Sequence, residues 1–170
     1  MTNPTTDFWI EHLKLQPHPE GGWFREFYRS QEILTRQHLP ERFSGNRNFS
    51  TAIYYLLQYP DFSAFHKIKS DEIWHFYAGD SLVIHIITPE GDYHELSLGS
   101  HPEKGEQLTG VVSQGCWFAA SPKYAGAYAL VGCTVSPGFD FSDFELANRS
   151  EILKLFPLHQ KIITEFTREK

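Results

Sequence analysis

Between Thr51 and Ser136 the chain alternates short apolar segments with turn residues. TAIYYLL (51–57), Ser63 to Ile68, Glu72 to Tyr77, Leu82 to Thr88, Tyr93 to Leu98, Gln107 to Val112, Cys116 to Ala120 and Ala125 to Ser136 read as strands. Tyr59-Pro60-Asp61, Ser70-Asp71, Gly79-Asp80 and Pro89-Glu90-Gly91-Asp92 separate them with residues that favour turns. Upstream, WFREFY (23–28) reads as another strand, with Arg25 and Phe27 on the face opposite Phe24, Glu26 and Tyr28. The polar stretch 36–48, with Pro40 and Gly45, reads as a loop. The two ends follow a helical period. Thr6 or Asp7 can cap a helix to about Leu15, which Pro17, Pro19 and Gly21-Gly22 stop. Phe144, Leu146, Ile152, Leu155 and Phe156 suggest a second helix, and Pro157 opens a third to about Thr167. Strands recurring at roughly 8–12-residue spacing predict an all-β sandwich or jelly roll with short N-terminal and C-terminal helices. Without repeats or linkers, one domain over residues 1–170 is expected.

Composition narrows the function classes. A net charge of −6 and a pI near 5.8 argue against nucleic acid as a partner, because phosphate binding needs a basic surface. No apolar run is long enough for a membrane-spanning helix, and MTNPTTDFWIEHL lacks the basic and apolar regions of a signal peptide. Cys116 and Cys133 sit in apolar segments and read as plain buried thiols, which suits the reducing cytoplasm. Aromatic residues make up 15% of the chain, a share that favours strands and ligand pockets alike.

The segment FHKIKSDEIWHFYAGD (65–80) carries the candidate chemistry. Read as a hairpin around Lys69-Ser70-Asp71, it sets His66, Ile68, Glu72 and Trp74 on one face. His66 and Glu72 then become diagonal neighbours whose side chains can grip one ligand. His75 falls on the other face. An apolar setting would raise the pKa of Glu72 and lower that of His66, while their mutual attraction opposes both shifts. Such a pair could exchange protons near neutral pH. The plainer alternative is a satisfied polar pair inside the barrel.

This segment resembles the first motif of the cupin superfamily, which reads a glycine, five residues, HxH, three or four residues, a glutamate, six residues and a glycine. His66, Glu72 and Gly79 match it, whereas Pro60 and Ile68 replace the first glycine and the second histidine. Of the second motif only Gly115 matches, with Phe118 and Pro122 among the other positions. PHPEGGWFRE (17–26), GCWFAA (115–120) and CTVSPGFDF (133–141) extend a resemblance to the cupin 5 branch, a family of unknown function. The resemblance implies a cupin-type double-stranded β-helix, often dimeric. It also implies that a metal centre, if formed, would lack two of its usual ligands, at Ile68 and Phe118. No metal or other cofactor is therefore expected, and recruitment of His75 or His85 is left open.

The resulting expectation is a small polar metabolite bound in the barrel, with His66 and Glu72 as the catalytic pair if there is turnover. Metal-independent sugar-nucleotide epimerases of the cupin superfamily are the nearest catalytic model, in which His66 would be the base and Glu72 its orienter or the acid. A non-catalytic binding protein and a metal-dependent cupin with rearranged ligands are the alternatives. Arg25 is either half of a salt bridge or an anchor for an anionic ligand. Tyr55, Trp74, Trp117 and Phe118 either wall the pocket or fill the core. The PHPEGG segment reads as a strand-exchange or edge-covering arm, His18 and the other scattered histidines as surface, and Asp140 and Asp143 as turn or capping residues. Val83, His85 and Ile87 alternate with Leu82, Ile84 and Ile86, so both faces of that strand need cover, from a subunit interface or the terminal helices, and a homodimer is expected.

Overall fold

The computed structural model describes residues 4–168; residues 1–3 and 169–170, the two ends of the expected domain, lie outside the described residues. Helix α1 (Thr6–Leu13) starts where the Thr5 hydroxyl accepts from the Phe8 amide, and it ends at Lys14 in the left-handed conformation. Thirteen strands follow: β1 (Gln16–Pro17), β2 (Trp23–Arg29), β3 (Ile33–Leu34), β4 (Arg47–Asn48), β5 (Thr51–Gln58), β6 (Ser63–Lys67), β7 (Asp71–Gly79), β8 (Leu82–Ile87), β9 (Tyr93–Leu98), β10 (Thr109–Val112), β11 (Trp117–Pro122), β12 (Tyr128–Ser136) and β13 (Glu145–Leu146). Helices α2 (Arg149–Leu155) and α3 (Gln160–Glu165) close the chain.

Two antiparallel sheets face each other. One has the order β1-β2-β5-β12-β7-β10, the other β13-β6-β11-β8-β9, and β3 pairs with β4 apart from both. Their inner faces meet in a core that joins Tyr55, Leu57, Trp74 and Val131 of the first sheet to Leu82, Ile84, Ile86 and Phe118 of the second. This is a cupin-type jelly roll. Behind the second sheet, Phe65, Ile87, Trp117 and Ala119 pack against Ile152, Ile163 and Phe166 of the C-terminal segment. Burial of each large apolar side chain there contributes about 1.5–3 kcal/mol. The two-sided apolar pattern of β8 is thus covered at Ile87 from within the chain. Behind the first sheet, α1 covers Leu56 and Leu130. Among the described residues, no helix is long and apolar enough to cross a membrane.

The hairpin expected across residues 65–80 does not form. β6 pairs with β11 and β13, whereas β7 pairs with β12 and β10 in the facing sheet. The link through Ile68 and Ser70 carries the chain from one sheet to the other, held by Ser70 donating to the Pro137 carbonyl at 2.8 Å. Each strand completes its ladder with a partner distant in sequence, a choice that local turn signals do not encode. The inward parity survives this change. His66 and Glu72 still face the interior, now from opposite sheets.

Candidate functional site

A cavity of about 230 Å³ opens between the sheets. Its inner end holds His18, Glu20, His66, Glu72 and Cys133; Phe24, Ile53, Ile68, Val135, Phe139 and Phe144 form apolar walls, and Glu26, Arg29, Asp140 and Phe141 stand at the more exposed mouth. The structure therefore brings His66 and Glu72 to one cavity, as the sequence suggested, and adds a second carboxyl.

Glu20 arrives on the PHPEGG turn, which does more than cover an edge. The turn closes on itself through His18 N to Gly22 O at 3.0 Å and Gly21 N to His18 O at 3.1 Å. It is fastened to β5 by the Tyr55 hydroxyl donating to Gly21 O at 2.7 Å, and to β6 by the Ala64 amide donating to Glu20 O at 3.0 Å. Gly21 and Gly22 have φ of 119° and 73°, and a Cβ on Gly21 would lie 2.1 Å from the Phe62 carbonyl oxygen. Glycine is required there by both conformation and space. The Glu20 side chain is thereby held with Oε1 accepting from Ser63 Oγ at 2.9 Å and Oε2 at 3.2 Å from His66 Nε2. His18 is not the surface residue expected, because its imidazole packs edge-on against Phe24 and accepts from the Glu20 amide at Nδ1.

The protonation states follow from these partners. His66 Nδ1 lies 2.8 Å from the Ala64 carbonyl, which can only accept, so Nδ1 carries the hydrogen. Burial then holds the His66 pKa down at about 4, leaving Nε2 a lone pair at neutral pH. Burial raises the Glu20 pKa, and a protonated Glu20 supplies the hydrogen that Nε2 needs. Glu72 is raised to about 8, first by burial and then because Glu20, whenever it ionises, disfavours a second negative charge beside it. Cys133 and the Trp74 indole beside it favour its ionised form less strongly. Trp74 Nε1 itself is a buried donor without a hydrogen-bond partner among the described residues. The inner end thus combines a neutral imidazole with Glu72, which holds its proton at neutral pH, and Glu20, whose pKa burial raises.

The other residues singled out from the sequence lie elsewhere. Arg25 stacks over Tyr54, 5.8 Å from its ring centre, on the outer side of the first sheet, and does not line the cavity. A bulge in β2 between Glu26 and Tyr28 shifts the parity, so Arg29 rather than Arg25 follows Phe24 and Glu26 inward. Tyr55, Trp74 and Phe118 are core residues, each about 1% exposed. Phe118 touches the site indirectly, with its ring centre 4.0 Å from that of His66. Trp117 faces the C-terminal segment, with the Lys67 ammonium over its ring. His75 meets Thr134 on the outer face, and His85 meets Tyr93 behind the second sheet, so neither reaches the cavity. Asp140 caps a 3₁₀ turn through the Ser142 amide, and Asp143 forms a buried two-point ion pair with Arg47, with both contacts at 2.5 Å.

The donor set does not fit the divalent ion that the cupin motif implies. Ile68 and Phe118 supply hydrocarbon where ligands would stand, and Glu20 engages the Nε2 of His66. Among the described residues, no three His, Cys, Asp or Glu side chains are placed to hold an ion. Of the residues at the inner end, only His66 and Glu72 were accessible from motif spacing. Glu20 carried no such signal beyond its place beside a glycine pair.

Comparisons with known proteins agree with this architecture. An X-ray structure of a protein from Shewanella oneidensis superposes with a TM-score of 0.89 at 35% identity, covering 98% of this chain and 99% of its own. A hypothetical protein from Leishmania major gives 0.88 at 35% identity, covering 98% and 100%. Oxalate decarboxylase from Bacillus subtilis gives 0.54 at 15% identity, covering 91% of this chain and 37% of its own, a likeness of fold alone. No curated protein matches. The family model described as Cupin superfamily (DUF985) matches residues 7–147, and the chain belongs to this family, cupin 5.

Proposed function

We propose that the cavity binds a small polar metabolite and moves a proton on it without a metal, as an isomerase or epimerase does. The observation that carries this reading is the contact of His66 with Glu20 opposite a carboxyl, that of Glu72, whose pKa of about 8 keeps it protonated at neutral pH. Glu72 can donate a hydrogen bond to a ligand carbonyl oxygen. As the His66–Glu20 pair takes a proton from the adjacent carbon, Glu72 passes its own proton to the carbonyl oxygen to give the enol. In the second half the pair returns a proton to that carbon or its neighbour, and Glu72 recovers one from the oxygen that becomes the carbonyl. The two proton transfers offset one another, so the buried inner end of the pocket need not hold a net charge.

The cheapest test follows exchange with solvent deuterium. Hydroxyketones and aldoses are incubated with the protein in D₂O, and the proton signals beside the carbonyl are followed by NMR. Loss of signal that His66→Ala and Glu72→Gln abolish supports the reading; exchange that survives both substitutions refutes it. A second reading, binding without turnover, is favoured by one observation. Nε2 of His66 is already engaged by Glu20, so the resting pair must be disturbed before it acts on a ligand. Thermal stabilisation by a compound that shows no exchange identifies that case. The two cysteines are buried and free, which supports a reducing cytoplasmic setting.

A further inference from the structure

We infer that the ligand of this cavity is an uncharged hydroxy-carbonyl compound, such as a short ketose, and not a phosphate ester or sugar nucleotide. The inference rests on the reading of the cavity as a ligand site and names the chemical class it takes. Among the described residues lining the cavity, Arg29 is the one Arg or Lys. Its guanidinium has five N–H donors, and the protein uses all of them. Nε donates to Glu26 Oε1 at 2.8 Å and Nη2 to Glu26 Oε2 at 2.6 Å; Nη1 donates to Asn48 Oδ1 at 2.9 Å, and both terminal nitrogens reach the Phe139 carbonyl at 3.2 Å. An entering phosphate would find no free donor on this arginine. It would also pass Glu26 and Asp140, two carboxylates at the mouth against one cation.

The inner end has the same preference. His66, with its pKa held at about 4, is neutral, burial lowers the His18 pKa as well, and the remaining ionisable groups are carboxyls and a buried thiol, so an anion gains no ion pair there. What the inner end does offer is hydrogen bonds of both senses, from groups that a carbonyl and several hydroxyls can satisfy together. The rings of Phe24, Phe139 and Phe144 supply flat apolar faces for the C–H side of a sugar. A cavity of about 230 Å³ lies below the usual range for drug-sized ligands, which suits a short sugar and leaves no room for a nucleotide.

The test uses two matched pairs: dihydroxyacetone with dihydroxyacetone phosphate, and D-xylulose with D-xylulose 5-phosphate. Binding is measured by calorimetry on the full chain and repeated with Glu26→Gln, which replaces one of the two oxygens that accept from Arg29 by an amide NH2, freeing one donor, and removes a carboxylate charge from the mouth. The neutral sugars should bind at least about tenfold tighter than their esters, since a desolvated anion would lack partners. Glu26→Gln should shrink that ratio by raising affinity for the esters. Esters that bind as well as or better than the parent sugars overturn the inference, as does failure of either sugar to bind. The underlying proton-transfer reading fails differently: the neutral sugars bind but exchange no deuterium. If instead the esters bind and exchange, the transfer chemistry stands and the ligand class falls.

Discussion

Nε2 of His66 stands 3.2 Å from Oε2 of Glu20, and because Nδ1 is spent on the Ala64 carbonyl, this contact needs exactly one hydrogen from the acid or the ring. With His66 held neutral, Glu20 is the donor. Glu20→Gln should preserve the contact, since the amide N–H can replace the acid O–H. Glu20→Ala leaves Nε2 and the Ser63 hydroxyl unpartnered in a buried setting and should cost about 1–3 kcal/mol. Urea unfolding at pH 7 compares the two. A loss as large for Gln as for Ala would mean that an ionised Glu20 makes the contact.

Glu72 gives a pH-dependent prediction whose sign is fixed. Its pKa is raised from 4.5 in the ordinary case to about 8, so across that window the folded chain holds a proton that the unfolded chain has released. Stability from this group therefore falls as pH rises, and the penalty is complete above the folded pKa. Glu72→Gln removes the titration. Its stability should gain on the parent by up to about 1.4 kcal/mol per pH unit within the window and level off above it. His66 titrates in both proteins, so its opposite dependence, between about 4 and 6.5, cancels in the difference. Thermal unfolding of both across the window decides it, and a constant difference counts against a buried protonated Glu72.

The jelly roll was legible because its strands carry their own evidence: period-two alternation and turn residues mark nearly every element from β5 to β12. The pairing of those strands was not. The Lys69–Asp71 turn that suggested a hairpin is local, whereas the partners that β6 and β7 take instead are remote. His66 and Glu72 stood out through motif spacing. Glu20 did not, because its role depends on a turn that Tyr55 and Ala64 fasten from two sheets. Arg29 was hidden behind Arg25 by one bulged residue. Alternation alone cannot reveal where it slips.

The segment that walls the mouth is held by Arg47 and Asp143, both buried and joined at two points, with Lys69 3.5 Å from the same carboxylate. Asp143→Ala strands the Arg47 guanidinium inside the protein and should cost about 3–5 kcal/mol. The double variant Arg47→Met with Asp143→Leu removes both charges and should recover most of that loss. Because Phe139, Phe141 and Phe144 flank Asp143 along the cavity mouth, the single variant should also weaken ligand binding more than the double one. Chemical unfolding measures the first effect and calorimetry with dihydroxyacetone the second. Equal losses from single and double variants would show that packing, not the stranded charge, sets the cost.

Ile68 explains why the inner end lacks a metal's donors, and it offers a direct test. It lines the cavity with His66 and Glu72 and is only 5% exposed, so a histidine there would face the same space rather than solvent. Two imidazoles and a carboxylate would then converge, a set that zinc or nickel accepts with water filling the remaining position. Binding deprotonates Glu72, which the positive ion favours despite burial. A metal at about a hundred times its Kd stabilises a protein by about 2.7 kcal/mol, or roughly 5–10 °C in a chain of this size. Ile68→His should therefore show a zinc-dependent rise in Tm that EDTA reverses. The parent and an Ile68→Leu control should show none, since hydrocarbon at this position leaves His66 to Glu20. A rise of the same size in the parent would place a competent donor set in the native cavity and undo the metal-free reading.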